Sequence, residues 1–74
     1  MLSFEEFMSK RIIVLDKALD IIVFERGMEV WHIYTITKKT DEYDHFVYSD
    51  DEAYEYYRDR MESYGYRPFT IFSK

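Results

Sequence analysis

No cysteine occurs in the 74 residues. Disulfide reinforcement is therefore excluded, and so is a structural zinc site of the cysteine-rich kind. A reducing compartment suits such a chain, and the cytoplasm is the expected location. Glycine is almost as scarce, with only Gly27 and Gly65. Two isolated glycines cannot build a glycine-rich phosphate cradle. Residues 41–52 are rich in acids but contain no glycine, which argues against an EF-hand loop. Long apolar runs are also missing. Ile12–Leu15 and Ile21–Phe24 are the longest, far short of the ~20 residues a membrane-spanning helix needs. The opening residues include Glu5 and Glu6 where a secretion signal would be basic, so no targeting segment is expected.

What is present is a globular composition, 47% apolar and 34% charged. The length suits a single domain over 1–74. A chain this short buries only about 60% of its unfolded surface, so its stability must come from aromatic packing or from association. Eight Tyr, six Phe and one Trp are available. That is more tyrosine than a small core can hide, because each buried hydroxyl needs a partner. A homodimer is expected, through the open face of a sheet around Trp31 and Ile33 or through the first helix.

Periodicity assigns the elements. Ser3 and Glu6 form a capping-box pattern. Phe4, Met8, Ile12, Leu15, Leu19 and Ile22 then recur at helical spacing, which predicts a helix over 4–19. Ile21–Phe24 reads as a strand, turning at Arg26-Gly27 so that Val23 faces Val30. The rival reading is one longer helix capped by Gly27. Met28–Thr37 alternates, with Val30, His32, Tyr34 and Ile36 on one face and Trp31, Ile33 and Thr35 on the other. Tyr43–Tyr48 follows as an antiparallel partner. Ser49 with Glu52 is a second capping box. The helix it opens runs to about Tyr64, before Gly65, with Ala53, Tyr54, Tyr57, Met61 and Tyr64 inward. Phe69–Phe72 closes the chain as an edge strand beside Pro68. The expected class is α+β, in the order α-β-β-β-α-β, with two helices on one face of a mainly antiparallel sheet.

Charge is segregated. Residues 1–40 carry six acids and six bases, whereas residues 41–62 carry nine acids against Arg58 and Arg60, leaving −7. Asp51, Glu52, Glu55, Asp59 and Glu62 fall on the outer side of the second helix, and Asp41, Glu42, Asp44 and Asp50 supply a second row. Such a field opposes direct nucleic-acid binding and favours a basic partner. Tyr56, placed beside the stripe, is the expected aromatic anchor. The alternative is that these acids only keep a small protein soluble.

Catalytic and metal chemistry find little support. His32 lies within a strand. His45, near Asp44 and Ser49, invites a triad, but triads need a scaffolded geometry and an oxyanion turn, and no such motif is present. No enzyme activity, cofactor or metal site is expected.

In size, charge segregation and tyrosine content the chain resembles the small acidic phage proteins that mimic DNA and block host nucleic-acid-binding proteins. The resemblance is one of composition. It implies a non-enzymatic inhibitor acting in a host cytoplasm, with a basic, nucleic-acid-binding protein as partner. The alternative is an assembly subunit that forms a homo-oligomer through aromatic surfaces.

Overall fold

The computed structural model describes residues 1–73. Its order is α1 (Phe4–Met8), β1 (Lys10–Lys17), β2 (Asp20–Arg26), β3 (Trp31–Thr37), β4 (Glu42–Tyr48), α2 (Asp50–Ser63) and β5 (Arg67–Ser73). The α+β class, the two helices and the antiparallel sheet agree with the sequence reading, with one strand more than expected. The sheet runs β4-β3-β2-β1-β5, and every pairing is antiparallel.

The extra strand is the main correction. The first helix stops after Met8 instead of continuing to residue 19. Its capping box forms as expected: the Glu6 amide donates to Ser3 Oγ at 3.2 Å, and the Ser3 amide donates to Glu6 Oε1 at 2.9 Å. The Ser3 amide, and after it the Ser3 hydroxyl, hold the Glu6 carboxyl below the usual range. Next, Ser9 Oγ donates to the Glu6 carbonyl at 2.7 Å, which helps to close the turn. The run Ile12-Ile13-Val14-Leu15 then favours a strand, because β-branched side chains fit a pleated surface better than a helix. Ile13 and Leu15 are buried, while Ile12 and Val14 point the other way.

β1 and β2 are joined through Ala18-Leu19, with Lys17 opposite Asp20. Ala18 takes a φ of 52°, a left-handed conformation that costs an L-residue about 1–2 kcal/mol. Ala18→Gly should remove that strain, against about 0.5–1 kcal/mol of added chain entropy. The expected result is a thermal midpoint raised by several degrees, since 1 kcal/mol corresponds to about 4–8 °C in a domain of this size. A lowered midpoint in a circular dichroism melt would show that the turn is not strained.

The hairpin between β2 and β3 exists, but in a different register. Arg26 faces Trp31 and Val23 faces Tyr34 across a loop of residues 27–30. Gly27 does not supply a positive φ. What it supplies is room: its amide donates to the Val30 carbonyl at 2.8 Å, and a Cβ there would lie 3.1 Å from the same oxygen. Gly65, at φ 76°, ends α2 as expected. β5 returns beside β1 as an edge strand. Its register shifts beside Pro68, a position where a missing amide is tolerated.

Both helices cover one side of the sheet. The core comprises Phe7, Ile13, Leu15, Ile22, Phe24, Trp31, Ile33, Ala53 and Tyr57. Phe7 is the link between the layers. Its ring centroid lies 4.4 Å from that of Trp31 and 5.1 Å from that of Tyr57. Two tyrosine hydroxyls hold the N-terminal segment: Tyr57 Oη accepts from the Leu2 amide and Tyr54 Oη donates to the Leu2 carbonyl, both at 2.9 Å. Burial pushes the Tyr57 phenol upward in pKa. Arg26 joins the helix ends, donating to the Met8 carbonyl at 2.7 Å and lying 3.9 Å from the Asp50 carboxylate.

Candidate protein-interaction site

Two surfaces stand out, one on each side of the molecule. The first is the outward face of α2 with its neighbour β4. Asp51, Glu52, Glu55, Asp59 and Glu62 are all exposed, and the packing of α2 is left to Ala53, Tyr54, Tyr56, Tyr57 and Met61. Asp41 lies exposed in the turn before β4 with a φ of 57°. Glu42 and Asp44 are exposed on β4, in alternation with Tyr43, His45 and Val47. Their side chains therefore share the side on which Phe46 and Tyr48 pack against the core. The acids of the strand and of the helix thus fall on the same side of the sheet.

These acids do not all have the same work. Asp50 is half-buried against Arg26. Glu52 closes the capping box, where the Ser49 amide and hydroxyl both donate to its Oε1 at 3.0 Å and hold its carboxyl below the usual range. Glu62 lies 3.8 Å from Arg58, and Asp59 bonds Arg60. Glu42 accepts from the Thr40 hydroxyl at 2.6 Å. Among the described residues no ion pair engages Asp41, Asp44, Asp51 or Glu55. The least compensated acids are thus the β4 end and the first half of α2.

Tyr56 departs from expectation. It turns inward, with its ring 5.9 Å from Phe24 and 5.7 Å from Tyr48, and the Arg60 guanidinium sits 4.3 Å above it. Burial raises its phenol pKa. The helix rotates so that Tyr56 fills the gap over β4, and Tyr64, expected inside, is exposed instead. Tyr56 is thus a packing residue beneath the acids, not an anchor among them.

The second surface is the uncovered face of the sheet. Trp31 and Ile33, expected there, are fully buried on the helix side. The open face carries the other parity. Across the strands it reads Val47-His32-Glu25-Ile12-Phe72, then His45-Tyr34-Val23-Val14-Thr70, then Tyr43-Ile36-Ile21-Asp16-Arg67. Apolar and aromatic side chains dominate this grid. Asp16 lies 3.9 Å from Arg67 at one corner. Tyr43, Val47 and Phe72 are 64%, 53% and 55% exposed along the two edge strands. The signal for this surface was present in the runs Ile12–Leu15 and Ile21–Phe24, which are apolar at every position and hence on both faces.

No family model, curated protein or solved structure matches the chain. The surfaces must therefore be interpreted from their own chemistry. Ser49 is committed to its capping box, and His45 bonds His32, so the residues of the imagined triad are held apart in separate interactions. Among the described residues no group of three or more His, Asp and Glu side chains could hold a metal ion. No helix of the described residues is long and apolar enough to cross a membrane. A cleft of about 460 Å³ opens beside Met8, Lys10, Arg26 and Met28, at the loop end of the sheet.

Proposed function

We propose that this protein is a non-enzymatic interaction module that pairs with a second copy through the open sheet face and presents its acidic helix face to a basic partner. The observation that carries this reading is the central strands. An antiparallel sheet with one solvated face normally alternates apolar and polar residues. β1 and β2 do not: Ile12, Val14, Ile21 and Val23 continue the apolar character onto the uncovered side. A contiguous patch of this kind on a small chain marks an association surface. Two copies stacked sheet to sheet would bury it at the usual ~10 Å spacing. That arrangement leaves both α2 helices outward.

The acidic face supports the partner half of the proposal. Asp51, Glu55, Asp59 and Glu62 lie opposite the packing side of α2, so their charge is not needed to fill the core. A concentration of negative charge suits the basic surface of a nucleic-acid-binding protein, in the manner of a DNA mimic that occupies and inhibits it. Reversing all four acids to lysine should abolish capture of a basic partner from lysate, while the circular dichroism spectrum stays that of the wild type. Wild-type capture should weaken as salt rises, because screening acts on exposed charge. Capture that survives both the reversal and high salt would assign the acids to solubility, leaving the homo-oligomeric assembly role alone.

A further inference from the structure

The two histidines of the chain meet on the open sheet face. His32 Nδ1 and His45 Nε2 are 3.0 Å apart, on the neighbouring strands β3 and β4. They are diagonal neighbours, since His32 is registered with Val47 and His45 with Tyr34. The ring of Tyr34 stacks on His45 at 4.5 Å with an interplanar angle of 10°, which fixes the plane of that imidazole. In the single chain the pair is partly exposed and therefore reachable from solvent.

We infer that His32 and His45 form a two-imidazole site for a borderline divalent transition-metal cation such as zinc, nickel or copper. Imidazole nitrogen is the ligand these ions prefer, whereas magnesium and calcium take oxygen. The nitrogen spacing is within range. Zinc–nitrogen bonds of about 2.0–2.1 Å, meeting at about 90–109°, place two nitrogens about 2.8–3.4 Å apart. The ring centroids lie 5.2 Å apart, so the imidazoles meet almost end-on and each must tilt to aim its lone pair at a shared cation. In the hydrogen bond one ring donates and the other accepts. Moving the donor ring's proton to its far nitrogen leaves a lone pair on each facing nitrogen, and a tilt of the two rings lets a cation beside the N–N line bind both in place of the hydrogen bond. Two side chains leave the remaining coordination positions to water or to an incoming group. The site is therefore open rather than a sealed structural centre. This inference is independent of the acidic face and is made for the single chain; the sheet-to-sheet pair proposed above covers the same face, so cation binding and pairing compete.

Isothermal titration of the untagged chain with zinc chloride tests it, followed by nickel. One saturable site per chain is expected, undisturbed by excess magnesium. Loss of an outer-shell partner alone costs metal sites about 10–100-fold, so His32→Gln and His45→Gln should each weaken binding by at least about tenfold. In a parallel NMR titration of the wild type, the ring resonances of His32 and His45 should shift together, ahead of any other residue. Binding unchanged in both variants, with perturbations centred on the carboxylates of α2, would overturn the proposal in favour of weak acidic-surface binding. Absence of saturation at millimolar zinc would overturn it outright.

Discussion

Phe7→Ala is expected to leave the chain barely folded. Deleting a fully buried phenylalanine ring costs about 3–5 kcal/mol, and a domain of 74 residues has about 4–11 kcal/mol in total. The site offers little chance of repair. Phe7 is the only buried residue of α1, and its ring contacts Trp31, Phe24, Tyr54 and Tyr57. A five-residue helix has no stability of its own. Once the ring is gone, the segment is held by the two tyrosine bonds to Leu2, the Arg26 bond to Met8 and the peripheral packing of Leu2, Phe4 and Met8. The thermal midpoint should fall by roughly 12–40 °C at this chain length. Phe7→Leu, which keeps most of the volume, should retain a cooperative transition. A loss under about 1 kcal/mol for the alanine variant would mean that α1 does not seat on the core, since large core deletions cost several times that.

The parts of the fold legible in the sequence are those with local chemical signatures. Both capping boxes form where Ser3 with Glu6 and Ser49 with Glu52 announce them. Gly65 caps α2 in the conformation expected of it. The alternation of β3 is also correct: Trp31 and Ile33 share one face, and His32 and Tyr34 the other. Which face the helices cover was not legible, because both carry large apolar side chains. Long-range contacts decide it, Phe7 on Trp31 and Tyr56 and Tyr57 on Phe24 among them.

The first helix was overextended for two physical reasons. Apolar residues filling both faces of a strand satisfy a helical spacing by chance, since almost any offset lands on one of them. Ile12 and Leu15 fit the helical series, while Ile13 and Val14, apolar too, fall off its single face and fit a strand buried on one side and apolar on both. The turn that separates β1 from β2 is also hidden. Ala18-Leu19 has none of the Gly, Asn or Asp that announces a tight hairpin, yet Ala18 adopts a positive φ there. For the candidate site, Asp51, Glu55, Asp59 and Glu62 are exposed as expected, whereas Asp50 is half-buried against Arg26 and Tyr56 turns inward. An aromatic beside a charged stripe can turn toward solvent or toward the sheet, and the exposed flank of Phe46 and Tyr48 draws it inward.

Val23→Lys is expected to turn a self-associating protein into a monomer without unfolding it. Val23 occupies the middle of the open face, on the central strand, between Tyr34 of β3 and Val14 of β1. Its neighbours in sequence, Ile22 and Phe24, are the ones that enter the core. A lysine at this position can extend into water in the isolated chain, so the monomer should keep its fold. In a two-fold sheet-to-sheet pair the same substitution appears twice, because such an interface uses one patch from each copy. Each copy then buries an ammonium beside Val14 and Tyr34, its cross-strand neighbours. An uncompensated buried charge costs about 3–5 kcal/mol, so even one of the two corresponds to a dissociation constant roughly 150–4,000-fold weaker. Sedimentation at tens of micromolar should therefore show the wild type as a dimer and the variant as a monomer. Leu19→Lys, at the exposed tip of the first hairpin, adds the same charge outside the patch and should leave the dimer intact. If both variants associate as the wild type does, the contact lies elsewhere on the molecule. If the wild type is itself monomeric, the open face is kept for a different protein, and the lysine should then abolish capture of that partner even though the acidic face is untouched.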